Sequence, residues 1–155
     1  MQKRKFLTMF LFGAIALAQP GFAADALKVD EARVVAPVPG QTVAAAYMVL
    51  ESPKGARVVA AESDVADSVQ IHTMSMQGDV MRMRRLEALD LPAGRPVQLA
   101  PGGTHLMLFG LRGKLRPGGT VALRLTVTEA GGANRIISLS LPVVDGPHAH
   151  GGRHD

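Results

Sequence analysis

Proline and glycine interrupt this chain about every 8 to 15 residues from Pro37 to Gly146, and that punctuation forbids a long helix. Proline removes a backbone donor and clashes inside a helix, and glycine gives up conformational entropy there. Pro37-Val38-Pro39-Gly40, Ser52-Pro53-Lys54-Gly55, Leu91-Pro92-Ala93-Gly94 and Ala100-Pro101-Gly102-Gly103 are turns by composition. The runs between them read as strands: Val29 to Ala36, Val43 to Leu50, Arg57 to Ala61, Ser68 to Met76, Val80 to Leu86, Val97 to Leu99, Thr104 to Phe109, Thr120 to Thr128 and Arg135 to Val144. Val43 to Leu50 is apolar throughout, which predicts a strand buried on both faces or at a sandwich centre. The expected fold is all-β, a single-domain sandwich or barrel.

The first residues obey a different logic. Lys3, Arg4 and Lys5 precede an apolar run from Phe6 to Ala18, and Gly21-Phe22-Ala23 offers small residues where a leader is cut. The run is shorter than the roughly 20 residues of a membrane span. No second long apolar run follows, and the 155 residues contain no cysteine to carry a lipid. The expected organisation is a signal peptide over residues 1–23, one domain over 24–145, and a mobile polar tail over 146–155. Such a protein is exported to the periplasm without stable membrane insertion.

Taking the leader away changes the meaning of the charge. The chain has 17 Lys plus Arg and 13 Asp plus Glu; residues 1–23 hold three of the basic residues and no acidic one, leaving 14 against 13. The basic balance therefore belongs mostly to the leader and gives no case for nucleic-acid binding. Arg82, Arg84 and Arg85 cluster, but the chain has one tyrosine and five phenylalanines, most of them in the leader, so no stacking platform accompanies the cluster. It reads as a solvated strand face. The lack of cysteine removes disulfides and thiol-disulfide chemistry, so burial alone must stabilise the fold.

Against this background His72, Met83, His105 and Met107 stand in the pattern H-x10-M-x21-H-x-M. Two imidazoles and two thioethers form a soft ligand set suited to copper(I) and poorly suited to zinc or hard ions. Residues two apart on a strand share a face, so His72, Met74 and Met76 point one way, and His105 and Met107 share another strand face. With Gln77-Gly78 as a two-residue hairpin loop, His72 lies opposite Met83 and Met74 opposite Met81. A third strand then brings His105 and Met107 to the same point. The bland alternative is that the methionines fill core and the histidines are structural. Two separate His/Met segments, in a chain with only two histidines before the tail, weigh against it.

The chain from about Val29 to Val143 resembles the PCuAC-type periplasmic copper chaperones. The resemblance lies in the complete His72, Met83, His105, Met107 spacing and in several segments. These are Val43-Ala44-Ala45-Ala46-Tyr47, Gly78-Asp79-Val80-Met81-Arg82-Met83-Arg84, Leu91-Pro92-Ala93-Gly94 and, most specifically, Pro101-Gly102-Gly103-Thr104-His105-Leu106-Met107-Leu108. It implies a cupredoxin-like Greek-key sandwich that binds one copper(I) at those four residues. It also implies delivery of copper toward the dinuclear copper centre of cytochrome c oxidase, alone or with a thiol-bearing copper chaperone.

Met74, Met76 and Met81 are auxiliary candidates, either a thioether patch for copper entry or an apolar skirt around the ion; Met48 reads as core. His148, His150 and His154 offer nitrogen ligands that suit copper(II), making the tail a candidate second site or an incidental histidine run. A copper carrier is the leading function. A blue-copper redox protein needs a cysteine thiolate that is missing here. An exported β-sandwich interaction module without stoichiometric metal is the alternative. Serine hydrolysis lacks a G-x-S-x-G motif, and no enzyme activity is expected.

Overall fold

The computed structural model describes residues 26–146, and these form ten strands and no helix. In chain order they are β1 (Lys28–Val35), β2 (Val43–Glu51), β3 (Ala56–Glu62), β4 (Ala66–Gln77), β5 (Val80–Leu86), β6 (Leu89–Leu91), β7 (Pro96–Leu99), β8 (Thr104–Leu111), β9 (Thr120–Glu129) and β10 (Asn134–Val144). Hydrogen bonding runs in the order β4-β8-β2-β1-β10-β9-β3, and a bridge at Ala61 and Val69 joins β3 back to β4. Seven strands thus close into a barrel of the cupredoxin-like kind. β1 and β10 meet in parallel at Val34/Val143 and Val35/Val144, while the other ladders are antiparallel. The remaining three strands are additions: β5 on β4, β6 on β3, and β7 on the edge of β2 that β8 also uses.

Alternation explains the interior. In β9, Val121, Leu123, Leu125 and Val127 are buried and their neighbours are not. Val34, Ala46, Leu50, Leu106, Leu108 and Leu141 meet them from the other strands, with Met48 fully buried among them. Each buried aliphatic side chain contributes about 1.5–3 kcal/mol of transfer free energy. β2 sits between β8 and β1 with Ala44, Ala46, Met48 and Leu50 inward, and its outer residues Val43, Ala45, Tyr47 and Val49 are half-buried. It is therefore central, but covered fully on one face only.

Two expectations need correction. Leu89 to Leu91 is a short strand pairing with β3, so the turn at Leu91-Pro92-Ala93-Gly94 starts later than its composition suggests. The β4–β5 hairpin turns at Gly78-Asp79, not Gln77-Gly78, pairing Gln77 with Val80, Met76 with Met81, Met74 with Met83 and His72 with Arg85. Gly78 has φ 63° and Asp79 has no positive φ, the pattern of a type II′ turn with glycine first. This turn shifts β5 by two residues, so the ligand candidates keep their common face.

Candidate metal centre

β4 and β8 run antiparallel with His72 directly opposite His105, their ring centroids 6.3 Å apart. Ile71 and Leu106, one residue away on each strand, point into the core. The histidines therefore lie on the outer barrel face. Met107 follows two residues after His105, opposite Gln70 on one side and Ala45 on the other. Met83 on β5 sits opposite Met74 and hence diagonal to His72. All four residues of the pattern share one face across three adjacent strands. The expected direct pairing of His72 with Met83 is replaced by a diagonal one.

Exposure is graded across the group. His105 is buried at 4%, His72 and Met107 are half-buried, and Met83 is 49% exposed. Met74 is half-buried on the same face, and the exposed Met76 and Met81 pair farther along the hairpin. β8 pairs with β4 only as far as Thr73 and Thr104, so the end of the hairpin carries these methionines beyond β8. His148, His150 and His154 lie outside the described residues.

The imidazole tautomers follow from their partners. His105 Nδ1 is 3.0 Å from the Gly103 carbonyl oxygen, which can only accept, so Nδ1–H donates and Nε2 keeps its lone pair. The same carbonyl accepts the Met74 backbone N–H at 3.1 Å. His72 Nε2 lies 3.0 Å from Gln70 Oε1 and donates to it, which leaves the Nδ1 lone pair. Among the described residues, His72 Nδ1 is the buried side-chain polar atom without a partner. A buried acceptor of this kind costs free energy unless something binds it. A soft metal ion is a fitting partner here, with a second imidazole opposite and thioethers on both flanks.

Surrounding groups favour the neutral form of His72 and hold both rings in place. His72 is shifted below the ordinary histidine value, first by burial, then by the charges of His105 and Arg85. Metal binding requires neutral imidazole, so the shift favours a ligand role. Phe109 packs against the His72 ring at 5.7 Å and Tyr47 against His105 at 6.3 Å. The Arg33 guanidinium stands 5.5 Å from the Tyr47 ring centre. A bulge in β1 precedes Arg33, with Glu31 at φ 52° and its carbonyl accepting from Arg33 Nη1 at 3.2 Å. Burial raises the Tyr47 pKa, opposed by Arg33. Gln70, Gly103, Tyr47 and Phe109 are thus part of the site, although the four-residue pattern does not single them out. Gln70 and Gly103 leave a simple trace, each standing two residues before a histidine of the pattern.

Comparison with known proteins agrees with this architecture. The family described as "Putative lipoprotein LpqE-like" matches residues 27–137. "Putative lipoprotein Lxx21020" of Leifsonia xyli subsp. xyli (strain CTCB07) is 34% identical over 111 residues, 71% of this chain and 67% of that protein. Among solved structures, the copper-bound PCuAC domain from PmoF2 superposes with TM-score 0.63 at 24% identity, over 77% of this chain and 93% of that one. The solution structure of CuI-DR1885 from Deinococcus radiodurans gives TM-score 0.60 at 32% identity, over 78% of this chain and 81% of that one. Its apo form gives TM-score 0.60 at 28% identity, over 95% and 97%. The chain belongs to the LpqE-like family, and its barrel has the fold of the PCuAC copper chaperone domains.

Proposed function

We propose that this protein is an exported copper(I) carrier that holds one ion between His72, His105, Met83 and Met107. The observation that carries the reading is the facing His72–His105 pair, whose Nδ1 and Nε2 lone pairs are left free while the opposite nitrogens are engaged. The copper-bound relatives with the same barrel support it. Thioether ligands are soft and uncharged, and Met83 at the exposed rim is the one an incoming ligand reaches first. Ligand exchange beginning there lets the ion leave without unfolding the barrel.

The acceptor we propose is a periplasmic cuproprotein, in particular the dinuclear copper centre of cytochrome c oxidase, with a thiol-bearing copper chaperone supplying the redox chemistry that a cysteine-free chain lacks. Met74, Met76 and Met81 serve as an apolar skirt and secondary thioethers. The tail histidines His148, His150 and His154 add a copper(II)-binding segment. Lipoprotein relatives support export, and no helix among the described residues is long and apolar enough to cross a membrane.

Anaerobic copper(I) titration against a chromophoric chelator, with and without residues 146–155, tests the proposal. One equivalent of copper(I) retained by the truncated chain, with zinc failing to displace it, is expected. A chain that binds no stoichiometric copper would instead be the metal-free interaction module.

A further inference from the structure

The carrier reading leaves the outer edge of β5 without a role, and that edge is unusual. Among the described residues β5 pairs with β4 and with no other strand, so its far side offers unpaired backbone donors and acceptors. Arg82, Arg84 and Arg85 are all exposed on it, and none makes an ion pair among the described residues. By contrast Arg57, Arg112, Arg124 and Arg135 each have a carboxylate at 2.7 to 3.1 Å. The register places Arg85 on the ligand face with Met81 and Met83, and Arg82 and Arg84 on the other, opposite Ser75 and Thr73. Three uncompensated cations therefore flank Met83, the most exposed of the four pattern residues.

We infer that this edge docks an acidic extended segment of the copper acceptor, seated beside Met83; the inference rests on the carrier reading above. Charge complementarity selects the occupant. A second copy laid antiparallel on the same edge would set arginine against arginine, which like-charge repulsion opposes. A flat anionic surface would meet the cations of one strand face and leave those of the other in water. An added strand alternates its side chains to both faces, so acidic residues on it reach Arg82 and Arg84 on one side and Arg85 on the other. The exposed Val80, Met81 and Met83 supply apolar contact along the same strand. Docking there brings the acceptor's own ligands to Met83, and the first exchange begins within the docked complex.

The test uses the full chain loaded with copper(I) under anaerobic conditions. Two synthetic acceptor peptides share one methionine-rich copper-binding centre, matched in copper(I) affinity, one flanked by aspartates and one by lysines. Transfer to the aspartate-flanked peptide should be about tenfold faster at low salt, and the advantage should shrink as salt screens the charges. Arg82→Ser with Arg84→Ser changes neither a proposed ligand nor the ligand face, so copper(I) affinity should hold while the advantage falls severalfold. Metal-free protein should bind the labelled aspartate-flanked peptide saturably by anisotropy, and the double variant should lose that binding. Equal transfer rates for the two peptides, or an advantage untouched by the double substitution, would overturn the inference and leave the carrier reading standing. Binding to phosphatidylglycerol vesicles without discrimination between the peptides would assign the edge to a membrane and overturn it likewise. A loading step that finds no stoichiometric copper would remove the carrier reading first, and the inference with it.

Discussion

His72 faces His105 across β4 and β8 at 6.3 Å between ring centres, and the two rings are held from opposite sides, one by a glutamine side chain and the other by a backbone carbonyl. Burial, then the charges of His105 and Arg85, depress the His72 pKa below its ordinary value of 6.5. The unfolded chain therefore binds more protons than the folded chain in the interval just below that value. The contribution of His72 to metal-free stability is fully present above about 6.5, falls as pH drops through the folded value, and levels off beneath it. Denaturation midpoints measured between about pH 7.5 and 5 should decline with acid, and His72→Gln should flatten that dependence.

The tautomer of His72 depends on Gln70. Gln70→Leu removes the acceptor of the Nε2–H bond and frees the ring to rotate. Loss of such an outer partner typically weakens metal affinity by about 10- to 100-fold. Copper(I) affinity should fall in that range while the thermal midpoint moves little.

Met83→Leu and Met107→Leu separate ligand from packing. Leucine roughly conserves volume, so each variant should lose less than ~1.5 kcal/mol of stability, and Met83→Leu, at an exposed position, the least. Each should weaken copper(I) by about tenfold or more, equivalent to about 1.4 kcal/mol per decade. Chelator competition beside urea denaturation gives both numbers, and full affinity in either leucine variant would return that methionine to packing alone.

Gly110→Ala examines the strand that carries His105 and Met107. Gly110 has φ 65°, and a Cβ there would meet Asp67, with its Cγ 2.8 Å away. Left-handed backbone alone costs a non-glycine residue about 1–2 kcal/mol, and the overlap with Asp67, which also pairs with Arg112 at 3.1 Å, adds to it. Calorimetry should show a lower melting temperature, and copper(I) affinity should follow only as far as β8 moves.

Truncation after Asp145 removes His148, His150 and His154. Free imidazole has a reference pKa of about 6.5, and histidine ligands lose metal as they protonate. Copper(II) uptake that fades between about pH 7 and 5 should therefore disappear with the tail, while copper(I) uptake by the barrel persists. Equal copper(II) uptake by both forms would make the tail histidines incidental.

Much of this arrangement is legible in the sequence because its physics is local. Pro and Gly mark nine of the strands, and alternation puts His72, Met74 and Met76 on one face. The short β6 escapes because three residues, Leu89 to Leu91, carry too little pattern before a Pro-Gly turn. The hairpin register depends on whether Gly78 is the first or second turn residue, and composition favours neither until φ is known. The facing of His72 and His105 is non-local: 32 intervening residues and three further strands separate them, and spacing along the chain does not specify which strand lies beside β4. Gly103 is recognisable as a turn glycine, but its carbonyl's grip on His105 Nδ1 exists only once β4 and β8 have met.

The parallel seam between β1 and β10 also orders events in time. The candidate ligands lie between residues 72 and 107, yet the barrel beneath them closes only when Val143 and Val144 reach Val34 and Val35, more than 100 residues back along the chain. A nascent chain can form the β4–β5 hairpin early, because its pairing is local. It cannot seal the wall behind the histidines until nearly the last residue of the domain has arrived, so the site matures at the end of folding.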